Sequence, residues 1–473
     1  MGKIFNKMSR RYHFIGIGGI GMGALASLLL AKGMRVSGSD LRENAMTLRL
    51  REEGAKIFLG HDAQNIGQAD CVVYSSAIGE HNLELKSARE RKIPVMQRAE
   101  LLAELMKDYK GITIAGAHGK TTTTSMIAKM LTDAGLQPTT AVGGILNGGT
   151  VNSGWGKGNF FVAEVDESDG SFLRFSPTYS VVTNIDREHL DYFKSWENLL
   201  EDYQEFLDKT QPGGVIVFNA EDPHLQNLVK KSHHHMKSFG FSSSYDISAR
   251  NIRLGEFSSS FDCVIKGKGS CPVQLSVPGK HNILNAMACI NIGFILNIPL
   301  ETIFESLLGF KGVQRRFQRK GEVNQIRVID DYGHHPTEIM ATLEAARHVQ
   351  KSRLVVIFQP HRYTRVQHLW KEFIQSLNAC DYLIVTDIYA ASEAPIEGIT
   401  AERLASAIQA KHPGEVIYLK KGNIIPHLLK ILGAGDMVLT LGAGDITYLG
   451  EELIHQLKQP SEKHPMKVEK NLL

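Results

Sequence analysis

The sequence has few cysteines, no long apolar run and no excess of charge of either sign. Its five cysteines are scattered along the chain, and no two of them form a CxxC pair; they are Cys71, Cys263, Cys271, Cys289 and Cys380. An odd, unpaired set of this kind argues against a disulfide framework and against a cysteine-based zinc site. The thiols are therefore expected to be reduced and mostly structural.

The balance of charge and the lack of apolar runs limit the partners. Lys and Arg number 53 against 50 Asp and Glu, and no long run of one sign precedes the Lys-rich tail after residue 458. The longest apolar stretch near the start, residues 24–31, is far shorter than the roughly 18 residues of a membrane span. The basic N-terminus has no small-residue cleavage site. We expect no nucleic-acid partner, no membrane and a cytoplasmic location.

What the sequence does have is a repeated alternation of strand and helix patterns. Its 473 residues leave room for about three cores. Short β-branched runs, the first a predicted strand over residues 12–17, alternate with helical spacing, and the alternation restarts at Gly111 and again at Val328. This predicts three α/β units on parallel sheets, with boundaries near 109 and 313. Residues 242–280 carry short strands punctuated by Ser and Gly, which predicts a small antiparallel sheet in the middle unit.

A glycine-rich turn follows the first predicted strand. Residues 16–21 read GIGGIG, which contains the GxGxxG spacing, and Asp40 stands at the end of the next strand. Glycines there allow a pyrophosphate to approach the helix N-terminus, and the carboxylate suits a ribose hydroxyl. The spacing alone does not separate NAD from another nucleotide with two phosphates. A glycine turn without a ligand is the alternative.

A second glycine-rich segment opens the middle unit. Residues 116–123 read GAHGKTTT between a predicted strand and a predicted helix. This ending is that of a P-loop, in which Lys120 would neutralise phosphate charge from an exposed loop and Thr121 would hold Mg²⁺. The loop is shortened, because Ile114 stands where the full pattern has glycine.

Two further strand ends carry acidic and histidine side chains. Residues 164–169 read EVDESD, and residues 184–191 read NIDREHLD. In a parallel sheet both segments emerge at the edge that carries the phosphate loop, so Glu164 and His189 can meet at one ion. A solvated acidic turn and a surface histidine are the alternatives.

The third unit repeats this arrangement with basic and polar groups. Residues 330–336 (DDYGHHP) and 358–365 (FQPHRYTR) each follow a predicted strand. They supply cations and hydrogen-bond donors suited to a substrate carboxylate. Capping and surface polarity are the alternative.

Together these segments resemble the blocks of the Mur ligases, which build the peptide of the bacterial cell-wall precursor. The blocks extend from residue 16 to 445 and include AHGKTTT, EVDESDGSFL, NIDREHLDYF, GKHNILNA, GVQRRF, DDYGHHPTE and FQPHRYTR. The resemblance implies ATP-dependent ligation of L-alanine to the lactyl carboxylate of UDP-N-acetylmuramate through an acyl phosphate. ADP and phosphate would be released, and the product would enter peptidoglycan precursor synthesis.

The resemblance also implies a division into three α/β domains. Residues 1–108 would form a Rossmann-like domain for the UDP substrate. Residues 109–312 would form a central P-loop ATPase-like domain for ATP, with the small antiparallel sheet. Residues 313–473 would form a second Rossmann-like domain that contacts the amino acid and ATP.

Site residues are carried over by position from the family. ATP and Mg²⁺ would be held by Gly116, Ala117, His118, Gly119, Lys120, Thr121, Thr122, Asn282, Asn285, Arg316 and Asp331. The Mg²⁺ ligands would be Thr121, Glu164 and His189, and the catalytic residues would be Lys120, Glu164, His189 and Asp331. UDP-N-acetylmuramate would be bound by Gly18, Gly19, Ile20, Gly21, Asp40, Ser75, Ser76, Ala77, Asp166, Glu167 and Ser168. L-Alanine would be bound by Tyr332, His361 and Arg365.

The sequence departs from the family at one position and leaves one role open. Related ligases carry a carbamylated lysine about fifteen positions after the metal histidine, where this chain has Gln204. The ligands of a second metal would then come from the acidic cluster. The attacking amine must lose a proton near His334, His335 or His361, and the sequence does not choose among them.

Other functions compete with this interpretation. A sister ligase attaches a recycled tripeptide to the same acceptor, and it is separated from the L-alanine enzyme by Ser168 and by the pocket around Tyr332 and QPHRYTR. An NAD-dependent oxidoreductase would use the first glycine turn but leave the GKTTT block idle. An ATP-driven binding or transport module would not need the first turn.

Overall fold

Two units make up the fold, which a computed structural model describes for residues 10–75, 77–144, 147, 154–349, 352–391 and 393–459, the side chains of residues 190 and 191 apart. The units are Met1–Gln314 and Arg315–Leu473. The first contains two β-sheets and the second contains one. Among the described residues, no helix has both the length and the apolar character needed to cross a membrane.

The first sheet is a five-stranded parallel sheet with the order β3-β2-β1-β4-β5. The strands β1 to β3 are added toward one edge of the sheet, and β4 and β5 are added toward the other. The strand order therefore reverses between β1 and β4, and open α/β sheets bind ligands beside such a reversal. Its elements are β1 Arg11–Ile15, α1 Ile20–Ala31, β2 Arg35–Asp40, α2 Ala45–Glu52, β3 Lys56–Leu59, β4 Cys71–Tyr74, α3 Leu83–Glu90, β5 Val95–Gln97 and α4 Arg98–Met106.

The second sheet has nine strands in the order β14-β13-β12-β11-β10-β9-β6-β8-β7. The strands β6 to β12 pair in parallel with their neighbours in this order, whereas β13 pairs antiparallel with both β12 and β14. The first half comprises β6 Lys110–Ala115, α5 Lys120–Asp133, β7 Thr139–Ala141, β8 Phe160–Glu164, a 3₁₀ turn at Ser171–Arg174, β9 Tyr179–Val182, α6 Leu190–Phe193 and α7 Trp196–Asp208. The second half comprises β10 Val215–Asn219, α8 Pro223–Val229, β11 His235–Gly240, β12 Ile247–Leu254, β13 Ser259–Ile265, β14 Gly269–Leu275, α9 Lys280–Ile295 and α10 Leu300–Gly309.

The third sheet, in the second unit, has six strands in the order β15-β16-β20-β17-β18-β19. Only the edge strand β15 pairs antiparallel. Its elements are β15 Gln318–Val323, β16 Ile326–Asp331, α11 Pro336–Val349, β17 Leu354–Phe358, α12 Tyr363–His368, α13 Trp370–Ser376, β18 Tyr382–Val385, α14 Ala401–Gln409, β19 Glu415–Tyr418, α15 Lys421–Ile431, β20 Met437–Leu441 and α16 Thr447–Lys458.

The central strands are buried on both faces, as parallel sheets covered by helices require. All five residues of β17 and all five of β20 are buried, and these strands read LVVIF and MVLTL. Polar residues stand at the carboxyl ends of the strands, as Asp331 does in β16 and Gln359 does after β17. This pattern places the chemistry of each sheet at its carboxyl edge.

The predicted α/β fold with three largely parallel sheets is confirmed, and so are the β-strands predicted near residues 242–280. Those strands, β12 to β14, continue the nine-stranded sheet rather than forming one of their own. The structure adds β3 and β5, which are short and carry little hydrophobic periodicity. The boundaries at 108/109 and 312/313 stay predictions.

Candidate functional site

The first glycine turn lies at the carboxyl end of β1, beside the reversal in strand order. Gly16 has φ +79°, a backbone conformation that favours glycine. The Gly18 amide donates to Asp40 Oδ2 at 2.9 Å, and Asn44 Nδ2 donates to the Gly18 carbonyl at 3.2 Å. A Cβ on Gly18 would lie 2.8 Å from Asp40 Oδ2, so the Asp40 side chain packs closely on the glycine. Asp40 therefore holds the turn.

A cavity of about 360 Å³ opens next to this turn and reaches the second sheet. Its lining brings together the predicted UDP-substrate residues Gly19, Gly21, Ser75, Ala77 and Asp166 with the predicted metal ligand Glu164. Gly18, Asp40, Glu167 and Ser168 are not among its lining residues. Ile20 begins α1 with about half of its surface exposed, and Ser76 lies outside the described residues.

The phosphate loop, residues 116–119, joins β6 to α5 and is braced by the end of β9. Gly116 has φ +128° and Gly119 has φ +82°. The His118 amide donates to Asn184 Oδ1 at 2.9 Å, and Thr183 Oγ1 donates to the His118 carbonyl at 2.6 Å. A Cβ on Gly116 would collide with Thr183 Oγ1. The loop is therefore held rigidly at the N-terminus of a helix, which is a favourable place for phosphate.

Lys120 is buried in an ion pair, not exposed on a loop as the sequence suggested. Its Nζ donates to the Gly116 carbonyl at 2.6 Å and lies 2.8 Å from both carboxylate oxygens of Glu167. The side chains are 14% and 2% exposed. Burial alone lowers the pKa of Lys120, but the carboxylates of Glu167, Asp166 and Glu164 outweigh it and raise the pKa, so the amine stays charged.

Thr121 and Glu164 form the part of the loop that suits a magnesium ion. Thr121 Oγ1 donates to Glu164 at 3.1 Å for Oε1 and 2.9 Å for Oε2, and the Gly143 amide donates to Oε2 at 3.3 Å. A hydroxyl and a carboxylate beside a phosphate loop are the oxygen ligands that Mg²⁺ prefers. These residues fit the ion that the family resemblance implies.

His189 lies beside other carboxylates of the acidic cluster. It has φ +56°, and its Nε2 is 4.0 Å from Glu167 Oε1 and 3.8 Å from Glu188 Oε2. Glu167, Glu188 and His189 each offer a ligand atom within 4.8 Å of the others. Glu164 is not part of this group among the described residues, so a shared ion for Glu164 and His189 stays a prediction. Gln204, on α7, donates from Nε2 to Asp208 at 3.1 Å.

Two residues of the predicted ATP site, Asn282 and Asn285, lie on α9, whereas Asp166 and Ser168 of the predicted UDP-substrate site lie in the acidic turn. Thr123 Oγ1 donates to Asn285 Oδ1 at 3.1 Å, and Asn285 Nδ2 donates to Asn282 Oδ1 at 3.2 Å. A Cβ on Gly119 would lie 2.6 Å from Asn285 Oδ1, so α9 packs directly on the phosphate loop. The Ser168 amide donates to Asp166 Oδ1 at 3.0 Å.

In the second unit, Asp331 ends β16 as a buried acceptor. It accepts hydrogen bonds from the Phe317 and Gly333 amides, both at 2.7 Å, and from Thr342 Oγ1 at 3.1 Å. Burial raises the pKa of Asp331 to about 6, although Arg316 acts to lower it. Arg316 Nη1 lies 3.3 Å from Glu338 Oε1, and its guanidinium stacks over Tyr332.

The predicted L-alanine residues form one aromatic and basic cluster. Arg365 Nη1 donates to His361 Nδ1 at 3.1 Å. The His334 ring lies between Tyr332 and His361, with ring centroids 5.3 and 5.4 Å apart. Tyr389 stacks on His361 at 5.5 Å with an interplanar angle of 8°. The structure thus brings Tyr332, His361 and Arg365 together.

Sequence reasoning missed four residues of these clusters. Arg98 lines the cavity beside Asp166, Arg315 donates to the Gly442 and Gly444 carbonyls, Glu338 contacts Arg316, and Tyr389 covers His361. Glu338 belongs to the DDYGHHPTE block and could have been found there. Arg315 belongs to the GVQRRF block, next to the predicted residue Arg316, whereas Arg98 and Tyr389 stand in none of the motifs.

Three family models match the chain in order along its length. The descriptions are Mur ligase family, catalytic domain, over residues 11–110, Mur ligase middle domain over 114–293, and Mur ligase, glutamate ligase domain, over 315–444. Together they cover most of the sequence.

Curated relatives and solved structures give the same family. A UDP-N-acetylmuramate–L-alanine ligase of Geobacter sp. (strain M21) is 48% identical over 96% of this chain and 98% of its own length. One from Myxococcus xanthus is 47% identical over 94% and 95%. The crystal structure of the UDP-N-acetylmuramate–alanine ligase from Thermotoga maritima matches with a TM-score of 0.80 and 30% identity, over 94% of this chain and 98% of that one.

Proposed function

This chain belongs to the Mur ligase family, and from that premise we propose that it joins L-alanine to the lactyl carboxylate of UDP-N-acetylmuramate with hydrolysis of ATP to ADP and phosphate. The observation that carries this function is the 48% identity, over 96% of the chain, to relatives named for that reaction. The product is a peptidoglycan precursor. A cytoplasmic location is part of the proposal, since nucleotide-activated precursors and ATP are found inside the cell.

The phosphate loop supports the first chemical step. A carboxylate resists attack by an amine because oxide is a poor leaving group, so the lactyl carboxylate must first take the γ-phosphoryl group of ATP. The loop amides and the Lys120 ammonium would offset the charge on the phosphoryl oxygens. Thr121 and Glu164 would hold Mg²⁺, which supplies further positive charge to the phosphates. His189 would also hold metal, and it lies beside Glu167 and Glu188.

The first glycine turn and its cavity support binding of the UDP substrate. The turn offers backbone amides at the N-terminus of α1, and Asp40 Oδ2 fixes the Gly18 amide. Arg98 adds a cation to the lining, beside Ser75 and Ala77. Glu164 lines the same cavity, so a substrate whose diphosphate occupied the turn would extend toward the predicted metal ligand.

The cluster around Tyr332 in the second unit supports recognition of the amino acid. The Arg365 guanidinium presents a planar fork that can hold a carboxylate through two parallel hydrogen bonds. The His361 ring stacks on Tyr389, and the His334 ring contacts both His361 and Tyr332. Arg316 and Asp331 would reach ATP, as the family resemblance implies.

Two rival functions are weaker. The solved structure of a murein peptide ligase from Psychrobacter arcticus matches with a TM-score of 0.71 and 23% identity, which supports the shared fold alone. An NAD-dependent oxidoreductase would have no use for a phosphate loop with a buried lysine and a carboxylate against its threonine.

The test is release of ADP that requires both substrates. Purified full-length protein is given ATP, Mg²⁺ and UDP-N-acetylmuramate, with L-alanine, the recycled tripeptide or no amine. We expect continuous release of ADP, together with the alanyl product, only when L-alanine is present. Rapid product formation with the tripeptide and none with L-alanine would select the sister ligase instead. Tight binding of NADH would favour the oxidoreductase.

A further inference from the structure

The histidines of the amino-acid cluster differ in which ring nitrogen can accept a proton. Arg365 Nη1 donates to His361 Nδ1 at 3.1 Å, and a guanidinium has only donors. Nδ1 of His361 must therefore be the unprotonated nitrogen, and Nε2 carries the hydrogen. Burial, with the charges of His334 and Arg365, lowers the pKa of His361 to about 3. His361 can donate a hydrogen bond from Nε2, but its one basic nitrogen is already engaged by a cation.

His334 has the opposite arrangement. Its Nδ1 lies 3.1 Å from the Tyr332 carbonyl and 3.4 Å from Glu338 Oε2. Both atoms are acceptors only, so Nδ1 carries the hydrogen and the ring lone pair is on Nε2. A histidine whose Nδ1–H faces a carboxylate is held in one tautomer and gains basicity at Nε2.

Glu338 is fixed in the position that this role needs. Its Oε2 accepts the His334 amide at 3.1 Å and the His335 amide at 3.4 Å, and its Oε1 lies 3.3 Å from Arg316. The side chain is 11% exposed. A base held by a second, oriented group is the arrangement that activates nucleophiles in many enzymes.

We propose that His334, oriented by Glu338, is the general base that takes the proton from the ammonium group of L-alanine. The inference rests on the proposed function and adds the identity of the base. His334 Nε2 takes one N–H proton and becomes imidazolium, and the nitrogen lone pair attacks the acyl carbon. The new C–N bond forms as the bond from the acyl carbon to the phosphate oxygen breaks. The second ammonium proton leaves with the phosphate.

The position of His334 is consistent with this role. Its ring lies between Tyr332 and His361, and Arg365 is the next group beyond His361. An amino acid whose carboxylate is held by Arg365 would place its ammonium group on the same cluster. The titratable groups next to His334 include Glu338, Tyr332 and His361, and Arg315 and Arg316 stack over the Tyr332 ring.

The test uses the full-length enzyme and a His334→Asn variant. The Asn side-chain amide can keep the hydrogen bond to the Tyr332 carbonyl, but it lacks Nε2. We expect kcat with L-alanine to fall about 10²-fold or more at neutral pH. The deficit should shrink as the pH rises, because more free L-alanine then carries a neutral amine. His455→Asn, on an exposed position of α16, is the matched control.

Two readouts separate chemistry from structure. Borohydride trapping measures the acyl phosphate formed without L-alanine, and hydroxylamine, largely unprotonated at neutral pH, captures it without needing a base. We expect His334→Asn to give wild-type amounts of both products. Equal loss of trapping, capture and ligation, or unchanged ligation of L-alanine, would overturn the proposal. If the wild-type enzyme itself gave no trapped product, the proposed function would fail instead.

The orienting role of Glu338 has its own readout. Glu338→Gln keeps an acceptor for the two amides but removes the negative charge that stabilises the imidazolium. The acidic limb of the kcat/KM profile for L-alanine should therefore move to lower pH, with a lower plateau. An unmoved limb would overturn the pairing and leave Glu338 as a helix cap.

Discussion

The Lys120 ammonium lies 2.8 Å from each carboxylate oxygen of Glu167, and both side chains are buried. A triphosphate bound in this loop would compete with Glu167 for the same cation. The Glu167 carboxylate thus holds the ammonium at the N-terminus of α5, next to the loop that we propose binds the phosphates.

Replacing Lys120 alone is expected to damage folding as well as activity. In Lys120→Met, the buried Glu167 carboxylate loses its cation, and such an unpaired charge costs about 3–5 kcal/mol. The double variant Lys120→Met with Glu167→Gln removes both charges and should recover most of the thermal stability. Its kcat should still fall about 10²–10³-fold, because the loop then has no lysine ammonium to face the phosphoryl group. Thermal unfolding and ADP release measure the two effects.

The control for this pair is Lys129→Met on the same helix. Lys129 forms an exposed i,i+4 pair with Asp133 at 2.7 Å, and such pairs contribute little. Near-normal turnover in the Lys120 double variant would contradict the phosphate role of the lysine.

Asp40→Ala is expected to weaken UDP-N-acetylmuramate and leave ATP binding unchanged. The carboxylate accepts the Gly18 amide at 2.9 Å, so its loss frees the glycine turn as well as removing an acceptor for the ligand. The phosphate loop belongs to another sheet. Calorimetry with each ligand measures this, and Glu52→Ala, exposed on α2, is the control. An unchanged UDP-substrate affinity would argue that the turn binds something else.

The fold could be predicted from the sequence because alternating strand and helix patterns specify parallel sheets locally. The first strand shows the limit: the sequence predicts residues 12–17, but β1 ends at Ile15, because Gly16 turns the chain at φ +79°. The apolar Ile17 belongs to the turn and packs in the core. Hydrophobicity alone does not separate a buried turn residue from a strand residue.

Site residues could be predicted where all of them stand in one motif at a strand end. They could not be predicted where the site forms from segments that are distant in the sequence. Thr121 and its loop stand in one motif, whereas the pairing of Lys120 with Glu167 joins residues that are 47 positions apart. Tyr389 and His361 form an isolated β-bridge beyond the ends of β18 and β17. No local sequence pattern predicts this contact. Burial of Lys120 was missed because a loop position suggests exposure, while the structure surrounds it with carboxylates.

Arg365→Lys is expected to raise the KM for L-alanine substantially and leave the KM values of ATP and UDP-N-acetylmuramate unchanged. A lysine has one point charge in place of the planar fork, and it cannot reproduce the hydrogen bond to His361 Nδ1. Steady-state kinetics with each substrate varied measures this. Borohydride trapping should show that the acyl phosphate still forms.

Arg403→Lys is the control for this prediction, since Arg403 is exposed on α14 and donates to the Gly398 carbonyl at 2.7 Å. A weakened ATP site with normal L-alanine kinetics would place Arg365 in the phosphoryl clamp instead.

His361 is expected to stay neutral at pH 5, with its hydrogen on Nε2. Its pKa of about 3 lies below the ordinary value of 6.5, chiefly because of burial. The folded protein then binds fewer protons than the unfolded chain, so the stability from this group is complete above about pH 6.5 and is lost as the pH falls toward 3. Nitrogen-15 NMR of labelled histidines measures the tautomer and the titration. An His361 signal that titrates near pH 6.5 would contradict the burial and the hydrogen bond from Arg365.

Gly444→Ala is expected to disturb the amino-acid cluster from behind. A Cβ there would lie 2.7 Å from Tyr389 Cδ2 and would collide with Gln359 Oε1, so Tyr389 must shift away from His361. Overpacking of this kind costs about 1–3 kcal/mol. We expect a lower melting temperature and a higher KM for L-alanine, with the KM for ATP unchanged.

The control for this change is Gly433→Ala, a second exchange of glycine for alanine in the same unit. A Cβ on Gly433 would meet no atom within 4 Å. Gly433→Ala should therefore leave both the melting temperature and the L-alanine kinetics near their wild-type values. If the two variants behaved alike, Tyr389 would not position His361, and the stacking between their rings would contribute nothing to recognition of the amino acid.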